Sequence, residues 1–302
     1  MDDTLRAVWN WLPAFRAVAE TEHLPSAAKR LHVTPPAVSR SIKLLEEALE
    51  AELFNRTGGR LVLNRAGQEF LSTLQSAMGD LDRAVERVCE DPLSGSIRVS
   101  CLGVLTDYFV LPAILGLLDD YPRLIPHLLT QRPLLSNESL RRGEVDAAFY
   151  YEPLTDEALE ILSIGEITAS VYCGRGHPLF DRPDLTLDDL STHPFSIPQI
   201  GDSGQVMDGW PVHLDRSIGM RITLLTTNLA ICRQGRFLTV LPDVVALEAL
   251  NNGELRRLPF DLLDPIPLFG ALRRRDPPGS SGRVVLDAVR RYAAEVAEQI
   301  PP

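Results

Sequence analysis

No stretch of the chain restricts its fold more than residues 24–43, Leu-Pro-Ser-Ala-Ala-Lys-Arg-Leu-His-Val-Thr-Pro-Pro-Ala-Val-Ser-Arg-Ser-Ile-Lys. The spacing predicts a short helix over 26–31, with Ala27, Ala28 and Leu31 inward, then a turn at His32-Val33-Thr34. A longer helix follows from 35 or 36 to 49. Proline is tolerated in a first helical turn, where its missing N–H would have no intrahelical partner. On the longer helix Val38, Ile42, Leu45 and Leu49 fall at i, i+4, i+7 and i+11 and make a buried stripe. Pro36, Ser39, Arg40 and Lys43 lie opposite. An earlier helix shows the same periodicity in Leu12, Phe15, Val18 and Ala19. Four cations, Lys29, Arg30, Arg40 and Lys43, stand within 24–43 with no acid between them, in a chain whose net charge is −11. A local basic face on helix-turn-helix geometry fits double-stranded DNA. Arginine can fork onto guanine, serine can reach base or phosphate, and lysine neutralises phosphate. Thr34, Pro36, Ser39, Arg40 and Lys43 are therefore candidate DNA-binding residues.

The residues after this helix extend the argument. Residues 54–63 read as strand, Gly-Gly turn, strand, which is a wing. Arg56 and Arg60 flank its tip as further DNA-binding candidates, Arg65 follows, and no acid occurs from Phe54 to Gln68. Each phosphate contact adds about one unit to the salt slope of binding. Asn64 suits an N-cap for a helix from about 65 to 90. Along it Leu74, Leu81 and Val88 occupy one heptad core position, and Phe70, Ala77 and Ala84 the other. That stripe suits a self-associating helix, and two DNA heads suit a palindromic site. Residues 91–95, Asp-Pro-Leu-Ser-Gly, break the pattern as a hinge.

From Ser96 onward strands and helices alternate. Strands are expected near 97–101, 124–131, 145–150, 167–173, 195–197, 220–225, 237–241 and 266–273. Helices are expected near 107–120, 137–142, 227–234 and 283–299. The fold class is a multidomain α+β chain: a winged helix-turn-helix at 1–65, a dimerisation helix at 66–91, and an α/β bilobed domain at 92–302. Lobe I covers about 95–165 and 267–302, and lobe II about 166–266. In such domains ligands sit at the carboxyl ends of strands and at helix N-termini. The candidate ligand-binding residues are Gly103, Thr106, Phe149, Gln199, Ser203, Thr227 and Asn228.

Charge and composition narrow the function classes. Up to Arg65 there are nine Lys or Arg against eight Asp or Glu, whereas the rest holds 21 against 33. The acidic bulk repels DNA, so contact must come from the local basic patches. No apolar run approaches the ~20 residues a bilayer span needs, and Asp2 and Asp3 do not fit a secretory leader. The dispersed Cys89, Cys101, Cys173 and Cys232 have no metal-ligand spacing and fit a reducing cytoplasm. A thiol sensor through Cys101 or Cys232 is the rival reading within the same fold. The six histidines show no H-x-x-x-H spacing and no Gly-x-Ser-x-Gly partner. An enzyme or a plain solute-binding protein is thus disfavoured, and no cofactor is expected.

Taken together, these residues resemble the LysR-type transcriptional regulators over essentially the whole chain. The head carries Leu12-x-x-Phe15-x-x-Val18-Ala19-Glu20, Ser26-Ala27-Ala28, Leu31-His32-Val33-Thr34, Pro36-Ala37-Val38-Ser39-Arg40, Leu45-Glu46, Leu53-Phe54, Arg56-Thr57 and Ala66-Gly67. The body is similar around 142–148, at Gly176-His177-Pro178-Leu179 and over 235–242. The resemblance implies a homodimer or homotetramer on operator DNA, with a small effector of unknown identity in the cleft. RNA polymerase is a further candidate partner. Glu50 stands where the family has the glycine that ends the recognition helix. Leu105 stands where many members carry an effector-contacting Ser or Thr, which argues against a simple carboxylate effector.

Overall fold

The computed structural model describes residues 3–57, 60–88, 93–152, 154–200, 205–206 and 208–300. Apart from the stretch Arg141–Glu144, the chain forms two compact units that part between residues 91 and 92.

The first unit is built on α1 (Asp3–Val8), α2 (Leu12–Thr21), α3 (Leu24–Leu31) and α4 (Pro35–Leu49), then β1 (Phe54–Thr57), β2 (Arg60–Leu63) and α5 (Arg65–Val88). α3 starts two residues before the expected Ser26, because Pro25 fits its first turn. Val38, Ile42 and Leu45 of α4 are buried with Phe15 and Val18 of α2 and Ala27 and Ala28 of α3. The Phe15 ring lies 5.5 Å from that of Phe54 and 5.1 Å from that of Phe70, joining helices, wing and α5 in one core. The Glu46 carboxylate accepts the N–H groups of Leu53 (2.8 Å) and Phe54 (3.2 Å), pinning the start of the wing to α4. Asn64 caps α5 as expected, its Oδ1 accepting the Gly67 N–H at 2.8 Å. Gly67 has no room for a side chain, since a Cβ there would stand 2.1 Å from the Leu53 carbonyl oxygen.

The apolar stripe of α5 divides. Phe70, Leu71, Leu74 and Met78 pack into the core of their own head. The first heptad is therefore used at least in part within the head itself. Ala77 and Leu81 stay exposed. Cys89, Glu90 and the hinge residues Asp91 and Pro92 lie outside the described residues, as do the side chains of Ala84 and Val88.

The second unit holds two sheets. In lobe I the order is β4 (Leu124–Leu129), β3 (Gly95–Ser100), β5 (Ala147–Tyr150), β13 (Ile266–Arg273) and β6 (Leu159–Ile167). In lobe II it is β10 (Ser217–Ile222), β8 (Pro194–Ile200), β11 (Leu238–Pro242), β7 (Ala169–Gly174) and β12 (Leu255–Arg257), with β9 (Gln205–Val206) pairing β8. Around them lie α6 (Leu111–Asp120), α7 (Pro133–Arg142), α8 (Leu187–Ser191), α9 (Leu225–Arg233), α10 (Asp243–Asn251) and α11 (Ser281–Gln299). A π-helical turn, Thr106–Val110, leads into α6.

Strand register locates the cleft. β3, β4 and β5 run parallel, as do β8, β10 and β11. The chain leaves lobe I where Ile167 pairs Ile266, and enters lobe II where Ala169 pairs Pro242. Phe269 of β13 pairs Tyr150, so β5 ends on the same side. The return from β12 to β13 enters lobe I at that same edge, where Ile266 begins β13, so both crossings tie together the edges where the parallel strands of each lobe end. The sequence pattern points to one strand over 167–173 and not to β6; in the structure Thr168 separates β6 from β7. The pairing of β6 with β13 shifts register between Leu268 and Phe269, and that irregularity breaks the period-2 pattern a strand needs to be legible.

Two predictions follow from these local conformations. Glu50 caps α4 in the left-handed region at φ 50°, which costs a side-chain-bearing residue about 1 kcal/mol. Glu50→Gly should raise stability by roughly 0.5–1 kcal/mol in urea unfolding; a loss of stability would refute the cap argument. His177 is 4% exposed, stacks 4.9 Å from His193, and accepts the Leu179 N–H on Nδ1 at 3.2 Å. Burial, helped by the His193 ring, pushes His177 down to about 4. The unfolded chain binds the proton more readily, so His177 contributes stability above its ordinary pKa of ~6.5 and loses it as pH falls toward 4. The loss should reach up to roughly 3 kcal/mol. Unfolding of His177→Asn between pH 7.5 and 4.5 should show a correspondingly flatter pH dependence.

Candidate DNA interface and ligand cleft

α4 presents Pro36, Arg40 and Lys43 to solvent and Ser39 half-exposed, on the side opposite Val38, Ile42 and Leu45. Thr34 is exposed at the N-cap, and its hydroxyl makes no cap hydrogen bond. Its carbonyl accepts the Ala37 N–H at 3.0 Å and the Val38 N–H at 3.2 Å. Pro35 and Pro36 have no N–H to offer. The start of α4 therefore has little free backbone N–H left to offer a phosphate. Lys43 meets Glu47 at 3.5 Å but is 72% exposed, a weak pair that leaves its charge available. Arg60 is exposed at the first residue of β2, and Thr57 pairs with it across the wing. The Arg56 side chain and Gly58-Gly59 lie outside what the structure describes.

Behind this face Glu20 on α2 accepts Arg16 at 2.8 Å and also Arg30 of α3. Burial alone would raise its pKa, but the hydrogen bonds from Arg16 and Arg30 outweigh it and hold the carboxyl below its usual value. Arg30, a member of the basic stretch, thus links α3 to α2.

In the second unit, the strand ends tied by the crossings carry most of the candidate ligand residues. Gly103 sits in the turn after β3 with φ +58°, and Thr106 follows with its hydroxyl buried beside the Cys101 thiol. Leu105 is fully buried in the lobe I core. Phe149 is also core, packed among the lobe I strands and helices, and not a cleft wall. In lobe II, Gln199 is half-buried near the end of β8, and its Oε1 accepts from Arg221 at 3.4 Å. Thr227 is exposed in the first turn of α9. Asn228 is 0% exposed; its Oδ1 accepts the Ser196 hydroxyl, and its Nδ2 has no partner among the described residues. Ser203 lies outside the described residues. Sequence reasoning missed Tyr151, Ser196 and Arg221, although Tyr151 directly follows a readable strand.

The model of the bacterial regulatory helix-turn-helix protein, lysR family, matches residues 9–68, and the LysR substrate binding domain matches residues 90–294. A probable hydrogen peroxide-inducible genes activator of Streptomyces viridosporus is 31% identical over 95% of this chain and 89% of its own length. The crystal structure of ArgP from Mycobacterium tuberculosis superposes with a TM-score of 0.68 at 20% identity, covering 94% of this chain and 96% of that one. Full-length CbnR complexed with its target DNA superposes at 0.59 with 23% identity, covering 94% and 99%.

The thiols bear on the rival redox reading. Cys101, Cys173 and Cys232 are all buried. Burial pushes Cys173 up to about 11 and Cys232 up to about 12, and it raises Cys101 against the pull of the nearby Thr106 hydroxyl. Peroxide sensing needs an accessible thiolate. In the folded protein these three should react with iodoacetamide at pH 7.5 roughly tenfold or more slowly than in urea, read by peptide mass spectrometry. Fast labelling of any of them in the native state would reopen the redox reading.

Proposed function

We infer how this protein works from its family: the chain belongs to the LysR family of bacterial regulators, with the helix-turn-helix head and the substrate-binding domain in the family's order. It is a DNA-binding transcriptional regulator with an effector-binding domain. On our reading the head covers 1–65, the linking helix 66–91 and the effector domain 92–302. The protein works in the cytoplasm as a homodimer or homotetramer, joined through the part of α5 beyond Met78, where Leu81 is free of its own head. It has no catalytic role and needs no cofactor.

The observation that carries the DNA assignment is the face of α4. Its opposite stripe is fully committed to the core, which fixes the direction of Ser39, Arg40 and Lys43. Ser39 and Arg40 read base edges in the major groove, Lys43 and Thr34 hold phosphates, and Pro36 contributes apolar contact. Arg56 and Arg60 bring the wing to the backbone. CbnR, which shares this fold, has been solved in complex with its target DNA, and that accords with a DNA-binding role for the head. Gly103, Thr106, Gln199, Ser203, Thr227 and Asn228 surround the effector, and RNA polymerase is the partner at the promoter.

Fluorescence anisotropy with DNA from upstream of the gene, across a salt series, tests this reading. Arg40→Ala should lose ~1–3 kcal/mol of specific binding and relax preference at one base pair, and Lys43→Ala should lower the salt slope by about one unit. Wild-type binding by a folded Arg40→Ala protein would remove Arg40 from the interface.

A further inference from the structure

The helix that opens lobe I's side of the cleft is already occupied, by a side chain of the same protein. Starting at Val104, this helix leaves the N–H groups of Val104 and Leu105 without intrahelical partners. The next two, of Thr106 and Asp107, reach back to the Gly103 carbonyl at 3.0 and 3.4 Å. The Leu105 N–H donates to the Tyr151 hydroxyl at 3.3 Å, and that hydroxyl donates to the Leu102 carbonyl at 3.4 Å. A Cβ placed on Gly103 would come within 3.7 Å of the same phenol oxygen. The hydroxyl thus sits inside the turn 102–105, where a helix N-terminus would otherwise receive an anion.

Other features reinforce this occupancy. The two hydrogen bonds are long and individually weak, so they do not hold Tyr151 by themselves. Its ring is held by packing against the lobe I core. Burial pushes the phenol up to about 12, against the pull of the Leu105 and Val104 amides, so at neutral pH the group is an uncharged phenol. Asp107, in the first turn of the π-helical segment, already complements the positive end of the helix and would repel a second negative charge. Leu105 is buried and offers no hydroxyl in exchange.

We propose that Tyr151 sets the ligand class of the cleft: by filling the amide turn 102–105 from within, it excludes carboxylates there and selects an effector with no acidic group at its lobe I end. This rests on the reading of the cleft as the effector site. The effector is then gripped in lobe I by apolar surface and the rim of the Tyr151 ring, and its polar groups face lobe II, where Asn228 Nδ2 has no partner among the described residues.

The test uses the full-length protein, sodium benzoate as the anionic probe and benzamide as its neutral match. Tyr151→Leu keeps apolar packing but vacates the turn, whereas Tyr151→Phe keeps the ring and removes only the hydroxyl. The melting temperature of wild type should not respond to benzoate, and Tyr151→Phe, which frees the Leu105 N–H but leaves the ring in place, should respond less than Tyr151→Leu. Tyr151→Leu should rise by about 5 °C at benzoate a hundredfold above its Kd, and not with benzamide. Amide shifts of Val104 and Leu105 in nitrogen-15 spectra of Tyr151→Leu should move with benzoate. Equal benzoate binding by wild type overturns the proposal, as does no gain in a Tyr151→Leu protein that still binds operator. Should Tyr151→Leu fail to fold, Tyr151→Met carries the same expectation, and unchanged amide shifts on adding benzoate to it are the refuting result. Operator affinity separates the two readings. Benzoate binding to Tyr151→Leu with no effect on operator affinity leaves Tyr151's role intact and defeats the effector-site reading. A wild-type operator response to benzoate does the reverse.

Discussion

The hydrogen bond from the Asp243 N–H to the Thr168 carbonyl, 2.9 Å long, closes the junction on which the ligand-binding unit depends. Thr168 is the single residue between the last residue of β6 and the first of β7, so it belongs to neither sheet. Asp243 opens α10, and its Oδ1 accepts the buried Tyr172 hydroxyl at 2.7 Å. One residue is thereby bound to the crossing strand through its backbone and to lobe II through its side chain. Val244 and Val245, the next two residues, pack into the lobe I core. Because the crossing happens at the ends of the parallel strands, the same geometry that joins the lobes also brings their ligand-facing turns together. Move the crossing to the other ends of the strands and the turns at Gly103 and Asn228 would lie on opposite edges.

The head depends on a comparable economy of parts. α4 has one face in the core, and that burial alone decides which side chains meet solvent. Glu46 and Asn64 then transmit its position outward, the first to the start of the wing and the second to the start of α5. Gly67 lets α5 approach the Leu53 carbonyl more closely than any side chain permits. The recognition helix, wing and linking helix are therefore positioned by a small set of backbone contacts, and only the residues projecting from them need differ to read another sequence.

The sequence was most legible where burial is one-sided and periodic. The stripe Val38, Ile42 and Leu45 follows helical spacing without interruption, so the helix and its outward face could be read directly. Asn64 was readable because its chemistry at an N-cap is local. β6 escaped because its register shift against β13 scrambles alternation. In the heptad of α5, Phe70 and Leu74 satisfy the pattern of a dimer seam but pack in the head's own core, and nothing local distinguishes those two destinations. Phe149 illustrates the same ambiguity within a strand, since strand membership does not say whether a side chain faces the cleft or the core. Tyr151 could not be inferred from spacing at all. Its partner turn lies 46 residues earlier, joined to it only by the sheet.

The two helix starts that matter for function share one property. An exposed helix N-terminus attracts any anion, which gives affinity without discrimination. In α4, Pro35 and Pro36 remove two of the free N–H groups, and the Thr34 carbonyl takes the third, at Ala37. In lobe I, Tyr151 takes the Leu105 N–H and Asp107 offsets the helix charge. In both places the generic backbone site for anions has been reduced, and selection passes to side chains whose identity can encode a particular partner. On the proposed reading, this favours DNA contacts from Ser39 and Arg40, which distinguish bases, over phosphate contacts that every sequence offers. For the proposed effector it favours shape and neutral polar groups over charge. A regulator must ignore the abundant phosphates and carboxylates around it, and the way these two helices begin meets that requirement.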